Sequence, residues 1–311
     1  MKSIPFLNLE FELRDFTQNY NKESINRIKA KKLVEAAKDF GFVQLVGHGI
    51  PTSELIDLMN LTRDFFSDVE MTSSCKIDEN YRGFIGLGNM RMRYSTHPDN
   101  KESFIFGLED NECNRTPIKN NWPLKNSLLR NHCIKMLKKF NNLGFVVLQY
   151  IAAGLDLEVD TFTKRFNPPL TRGSLLRYPP NVLEHKNKQS DFFGVAPHTD
   201  YGCITIVYQH EIGGLQINLD GQWIDIPSHP EALIINIGDL MSRWVNDYLV
   251  STVHRVINPS YEYDRYSFAV FIDPSPDETI DCISLDGAVQ KYQPINAAKY
   301  IAERQNEGIS K

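Results

Sequence analysis

The stretch Val195-Ala196-Pro197-His198-Thr199-Asp200-Tyr201-Gly202-Cys203-Ile204-Thr205-Ile206-Val207-Tyr208-Gln209 opens as a strand end that carries His198 and Asp200. Past Gly202 it becomes an apolar run, Cys203 to Gln209. Runs of similar length recur at Ser174 to Tyr178, Gly214 to Asn218, Leu233 to Ile237 and Ser267 to Ile272, separated by Gly, Pro, Asn and Asp. A doubly wound sheet would need helices between such strands, so the half beyond Leu170 is expected to form a sandwich or a jelly roll.

Ahead of this β-rich half the texture is helical. Leu33, Val34, Ala37 and Phe40 recur at helical spacing, and the pattern switches through Gly41 to a strand, Phe42 to Val46. Thr52 or Ser53 is expected to cap a second helix lined by Leu55, Met59, Thr62 and Phe66. A long helix is expected from Ser127 to Ala153, with Gly154 as its C-cap. Asp160 is expected to cap one more short helix that ends at Pro168 and Pro169. A last helix is expected over Ala297 to Arg304. There is no internal repeat.

With 311 residues, 41% of them hydrophobic, the chain can bury a sizeable core. A net charge of -5 gives no broad positive field, which argues against nucleic acid or an anionic membrane as partner. The longest apolar stretch, Gly144 to Leu155, is too short to span a bilayer, and Met1 to Glu12 has no signal pattern, so a cytoplasmic protein is expected. Cys75, Cys113, Cys133, Cys203 and Cys282 are scattered and never form a C-x-x-C pair, so they are expected to be reduced.

His198 and Asp200, two residues apart on a strand, point to one face and can share one ligand. His254, within Ser251-Thr252-Val253-His254-Arg255-Val256, is a third candidate donor on a second β-like run. Two imidazoles and a carboxylate on one side of a metal leave the opposite positions open, which suits non-haem iron(II). His-x-Asp in isolation also fits a hydrogen-bonded loop histidine, and the downstream context decides between the two. Arg265 and Ser267 share a strand face and can hold the remote carboxylate of a dicarboxylic acid, where an isolated Arg would read as a surface salt bridge.

In these motifs the chain resembles the iron(II) and 2-oxoglutarate-dependent dioxygenases, in their isopenicillin N synthase-like branch. Pro197-His198-Thr199-Asp200, Gly213-Gly214-Leu215-Gln216-Ile217, Trp223, Asn236-Ile237-Gly238-Asp239, Ser251 to Val256 and Arg265-x-Ser267 follow that branch in order. Ile4-Pro5, Gly41-Phe42, Gly47-His48-Gly49-Ile50-Pro51, Arg82-Gly83-Phe84, Lys101-Glu102-Ser103-Phe104 and Asn121-Trp122-Pro123 extend the similarity through the first third. The resemblance implies an α+β fold, with a double-stranded β-helix (jelly-roll) core, flanking helices and a mainly helical N-terminal region. It implies an N-terminal dioxygenase region at 1–118, a helical backing segment at 119–170, the jelly-roll domain at 171–275 and a tail with a helix at 276–311.

Carried over by position, the resemblance implies iron ligands at His198, Asp200 and His254 and a 2-oxoglutarate site at Arg265, Ser267 and Tyr178. Fe(II), 2-oxoglutarate and O2 would oxidise a small-molecule metabolite, in the manner of secondary metabolism, with release of succinate and CO2. Hydroxylation, desaturation, cyclisation and demethylation stay open. So do an iron oxidase of the same fold that does not use 2-oxoglutarate and an inactive jelly-roll binding protein. A monomer or weak homo-oligomer is expected.

Leu176 stands where plant members have Asn, and Asn246-Asp247 replaces their Asn-Gly turn, which argues against a plant-type substrate. Strand alternation puts Ala269, Phe271 and Asp273 on the face of Arg265, so Phe271 and Asp273 are candidate substrate contacts, weighed for Phe271 against a core ring. Arg91 and Arg93 are candidates for a substrate carboxylate, weighed against a solvated loop. His48, Gly83, Trp223 and Asp239 read as structural.

Overall fold

The computed structural model describes residues 3–10, 25–92, 95–109, 118–124, 127–180, 193–209 and 211–308. In chain order the elements are β1 (Phe6–Asn8), α1 (Arg27–Asp39), β2 (Phe42–Val46), α2 (Thr52–Ser67), α3 (Val69–Ser74), β3 (Gly83–Ile85), β4 (Glu102–Gly107) and α4 (Ser127–Gly154). There follow β5 (Leu170–Tyr178), β6 (Val195–His198), β7 (Ile204–Gln209), β8 (Leu215–Leu219), β9 (Gln222–Ile226), β10 (Leu233–Ile237) and α5 (Asp239–Trp244). The chain closes with β11 (His254–Val256), β12 (Arg265–Asp273), β13 (Thr279–Ile280), β14 (Ile295–Asn296) and α6 (Ala297–Gly308).

Two sheets form the α+β jelly roll: an eight-stranded sheet in the order β1-β2-β10-β7-β12-β5-β4-β3 and a four-stranded sheet in the order β6-β11-β8-β9. Strand alternation gives the large sheet two different faces. On β12, Tyr266, Phe268, Val270 and Ile272 are buried in the main core with Leu137 and Phe140 of α4, and the Phe140 and Phe268 rings meet edge to face at 5.0 Å. The alternate residues Arg265, Ser267, Ala269, Phe271 and Asp273 therefore face the small sheet. A second apolar cluster, including Phe42, Tyr178, Val195, Ile217 and Ile234, lies between the two sheets. α4 thus covers the outside, and the space between the sheets is left to a site.

Three local expectations are corrected. α2 starts at Thr52 with Pro51 as N-cap and no capping side chain, because the Pro51 carbonyl already accepts from the Glu54 and Leu55 N–H groups. No helix follows Asp160; a 3-10 turn at Thr163–Arg165 fills that segment. Gly154 does not cap α4. It is the last helical residue, and a Cβ there would lie 2.4 Å from the Ala30 carbonyl oxygen of α1, so the glycine serves the close approach of two helices. The turn falls instead at Asp156, with φ +58. The described cysteines, Cys75, Cys133, Cys203 and Cys282, are free and buried, and Cys113 lies outside the described residues. No described helix is long and apolar enough to cross a membrane.

Candidate metal centre

The small sheet sets two imidazoles side by side. His254 on β11 pairs directly with His198 at the end of β6, so both side chains leave the same face and their ring centroids lie 4.2 Å apart. Each ring is fixed through Nδ1, which lies 2.8 Å from the Ala196 carbonyl for His198 and 3.1 Å from the Thr252 carbonyl for His254. That contact makes Nδ1 the protonated nitrogen and turns Nε2 inward as an acceptor. Phe42 of β2 holds the His254 ring from the side, at 5.3 Å.

Asp200 completes the group from just beyond β6. Its Oδ1 lies 3.7 Å from His198 Nε2 and 3.8 Å from His254 Nε2. Its Oδ2 accepts from Thr205 Oγ1 at 2.5 Å and Asn236 Nδ2 at 2.8 Å, so one oxygen is anchored and the other is presented. The ligand atoms of His198, Asp200 and His254 lie within 4.8 Å of one another, the only such cluster among the described residues.

Burial and the neighbouring His254 push the His198 imidazole down to about 3, and Lys101 adds to the shift. The ring is thus neutral at physiological pH, as a metal ligand must be. For Asp200 burial opposes ionisation. The two imidazoles and the donors Thr205 and Asn236 outweigh it and hold the carboxyl below the usual carboxylate range. Lys101 is itself buried and paired with buried Asp99 at 3.1 Å, while Asp99 accepts from the Ala196 N–H, a tie from the segment leading into β4 to the base of the His198 strand.

The interior face of the large sheet supplies a second group. Arg265 is 1% exposed. Its Nε donates to the Gly213 carbonyl, its Nη2 donates to Gln209 Oε1 at 3.2 Å, and its guanidinium lies 4.7 Å over the ring of Tyr178, its cross-strand partner. Its Nη1 is buried without a hydrogen-bond partner, and no carboxylate among the described residues pairs with it. A buried cation in that state is set up to receive an anion. Ser267 lies next on the same face, 2% exposed, opposite Gln209.

Further along that face Phe271 is half-buried and belongs to neither apolar cluster, with the Arg172 guanidinium 5.8 Å from its ring. Asp273 is fully buried; it accepts from the Cys203 N–H at 2.8 Å and bonds Arg172 Nη2 at 3.5 Å, so it closes the turn after Asp200. Arg91 is exposed, and Arg93 lies outside the described residues.

His48 bonds the Glu231 carbonyl and the Ile50 N–H, a turn-holding role. Trp223 is half-buried rather than buried, with the Arg255 guanidinium 4.0 Å above it. Asp239 accepts from Thr199 Oγ1 and from Arg304. Thr205 and Arg172 were not singled out by sequence reasoning as site residues, and Asn236 and Arg82 entered only within motifs that carry the resemblance, with no role given to them. The motif containing Asn236 did carry a signal, since its polar side chain sits inside the apolar run Leu233–Ile237.

Comparison with known proteins agrees with this geometry. Residues 171–274 match the 2OG-Fe(II) oxygenase superfamily, and residues 10–125 match the N-terminal region described as non-haem dioxygenase in morphine synthesis. A 2-oxoglutarate-Fe(II) type oxidoreductase of Emericella nidulans is 31% identical over 309 residues, covering 90% of this chain and 85% of the relative. A 2-oxoglutarate-dependent dioxygenase of Monascus ruber is 30% identical over 291 residues, covering 88% and 85%. Among solved structures, a full-length Neurospora crassa protein in complex with alpha-KG superposes with a TM-score of 0.83 at 27% identity, covering 97% of this chain and 95% of that one. The fold, the converging donors and these relatives agree that the chain belongs to the 2OG-Fe(II) oxygenase superfamily, as an oxidoreductase that uses Fe(II), 2-oxoglutarate and O2.

Proposed function

We propose that His198, Asp200 and His254 hold the iron, that Arg265, Ser267 and Tyr178 receive the 2-oxoglutarate, and that Phe271 borders the small-molecule substrate. The observation that carries this reading is the convergence of two Nε2 atoms and one carboxylate oxygen beside a wall whose buried guanidinium keeps an unused N–H. The donor set fits the metal, because imidazole nitrogen and carboxylate oxygen on one side suit iron(II) with open positions opposite. Bound together, iron and 2-oxoglutarate supply the oxidising chemistry, which couples O2 reduction and release of succinate and CO2 to oxidation of a substrate bond.

The chain's own residues do the positioning. Ala196 and Thr252 carbonyls fix the imidazole tautomers, and Thr205 and Asn236 fix the carboxylate rotamer. Arg265 offers a charge-assisted bond at the distal carboxylate of 2-oxoglutarate, and the Tyr178 ring beneath it excludes water. Phe271 and the substrate it borders would close the other side of the metal to solvent. We further propose a cytoplasmic monomer or weak homo-oligomer; the net charge of -5 supports partners other than nucleic acid.

The test uses two variants. Asp200→Ala is expected to abolish stoichiometric iron(II) binding, and Arg265→Ala to weaken 2-oxoglutarate binding by ~2 to 4 kcal/mol while iron is retained. Unchanged iron content in Asp200→Ala, or unchanged 2-oxoglutarate affinity in Arg265→Ala, would overturn the assignment of the corresponding group.

A further inference from the structure

We propose that the substrate carries a carboxylate and that Arg172 and Arg82 receive it, at the end of the interior wall opposite Arg265. The proposal rests on the iron and 2-oxoglutarate assignment above and adds the substrate class to it.

One row of directly paired residues crosses the large sheet: Phe42, Asn236, Thr205, Phe271, Arg172 and Gly107. Paired residues point to the same side, so all six face the small sheet. Asn236 and Thr205 hold Asp200, and Phe42 packs on His254, so the row passes directly behind the metal ligands. Phe271 and then Arg172 are the next residues outward. Adjacent strands lie about 4.8 Å apart, so the Arg172 backbone is roughly 10 Å across the sheet from that of Thr205.

The last position of the row is Gly107. A Cβ there would lie 2.9 Å from Arg82 Nη2, so the missing side chain makes room for the Arg82 guanidinium beside Arg172. Two guanidinium groups are thus brought together under cover. Arg82 is 5% exposed and the Arg172 side chain 21%.

Their hydrogen bonds are incomplete. Arg82 Nη1 donates to the Tyr81 and Asn80 carbonyls at 3.2 and 3.5 Å, but its Nε is buried without a partner. Arg172 Nη2 reaches Asp273 at 3.5 Å, and its Nε is likewise buried and unpartnered. Asp78 spends its Oδ1 on the backbone N–H groups of Asn80 and Arg82 and makes no hydrogen bond to the Arg82 guanidinium, although its charge acts on that group. Burial, and then Arg172 beside it, push Arg82 down to about 10 against the opposing charge of Asp78, so the two guanidinium groups act on each other.

Only one carboxylate, Asp273, bonds either guanidinium, so two buried N–H donors are left for one further carboxylate, and a phosphate dianion would bring more charge than they need. The planar fork of Arg suits a carboxylate in two-point contact. Phe271, with Arg172 at its ring, gives the substrate's apolar body a surface between that anchor and the metal. The 2-oxoglutarate group is not the occupant, because Arg265 lies six residues from Phe271 on β12, about 20 Å along the strand.

The experiment titrates the iron(II) enzyme, saturated with 2-oxoglutarate and without oxygen, by calorimetry. The probes are a library of small aromatic and aliphatic carboxylic acids, each with its primary amide and its phosphonate analogue. At least one acid is expected to bind tenfold or more tightly than its amide. In Arg172→Gln, acid and amide should bind alike, while iron content and 2-oxoglutarate affinity stay at wild-type values. Arg82→Lys, which keeps the buried charge and loses the fork, should lower the acid preference without changing the melting temperature enough to unfold the protein. A library in which no acid exceeds its amide, or an acid preference that survives Arg172→Gln, overturns the proposal. Phosphonates that bind more tightly than carboxylates also overturn it. Loss of iron or 2-oxoglutarate binding in the wild-type protein would instead strike the functional assignment.

Discussion

Asp200 has two carboxylate oxygens, and the structure gives them different partners. Oδ2 accepts from Thr205 and Asn236, and Oδ1 faces the two imidazoles. Asn236 is 2% exposed and spends its amide N–H on that oxygen, so its place in an otherwise apolar strand is explained by the carboxylate. Asn236→Ala is expected to weaken iron(II) binding by ~10- to 100-fold, the usual range for a group that orients a ligand, with the fold kept. An anaerobic titration that gives wild-type affinity would remove Asn236 from the site. The two faces of β12 carry phenylalanines in different surroundings. Phe268 is fully buried, stacked on Phe106 and edge-on to Phe140, so Phe268→Ala is expected to cost ~3 to 5 kcal/mol of stability. Phe271 is half-buried and outside both apolar clusters, so Phe271→Ala should cost about 1 kcal/mol and act on substrate KM instead. Equal losses of melting temperature in the two variants would return Phe271 to the core.

Among the elements, α4 shows why some signals can be read locally and others cannot. Its apolar stripe is legible from Leu129 to Ile151, and the structure buries both of those residues fully. Gly154 at its end looks like a C-cap because a glycine after the last apolar position has that meaning in an isolated helix. Its real constraint comes from α1, more than a hundred residues earlier. Gly154→Ala should therefore destabilise by ~1 to 3 kcal/mol, since the clash with the Ala30 carbonyl outweighs the ~1 kcal/mol that Ala gains in helix propensity. A raised melting temperature would show that the helices can separate without cost. The same contrast governs the site. His198 and Asp200 are legible because a two-residue spacing at a strand end brings them to one side, and Arg265 with Ser267 because they alternate within one strand. Arg82 and Arg172 meet only through the registers of β5 and β4, which no local pattern encodes. β9, with both its first and fourth residues exposed, and α5, of 6 residues, are too short or too polar to carry a period.

Across the full length of the fold, the C-terminal helix reaches back to the proposed metal ligands. Arg304 of α6 donates to Asp239 Oδ2 at 2.8 Å, and the same oxygen accepts from Thr199 Oγ1 at 3.1 Å, between His198 and Asp200. The Asp239 N–H also donates to the Asp200 carbonyl at 2.7 Å, so side chain and backbone of one residue brace the loop that carries two of the proposed ligands. The Arg304 side chain is 33% exposed, and as an ion pair it adds only ~0 to 1 kcal/mol to folding. Its effect should instead appear in how tightly the loop holds iron. Iron(II) at a hundred times its dissociation constant stabilises the folded protein by about 2.7 kcal/mol, and a tenfold loss of affinity at the same concentration reduces that gain to about 1.4 kcal/mol. Arg304→Ala is expected to lose roughly tenfold in affinity, the lower end of what groups behind the ligands contribute. The measurement is the melting temperature of wild type and variant, each with and without iron(II) under anoxia. Without metal the two should melt within a few degrees of each other, and with metal the variant should gain about half as much stability as the wild type. An equal gain in both proteins would show that α6 only covers the fold and leaves the metal loop to hold itself.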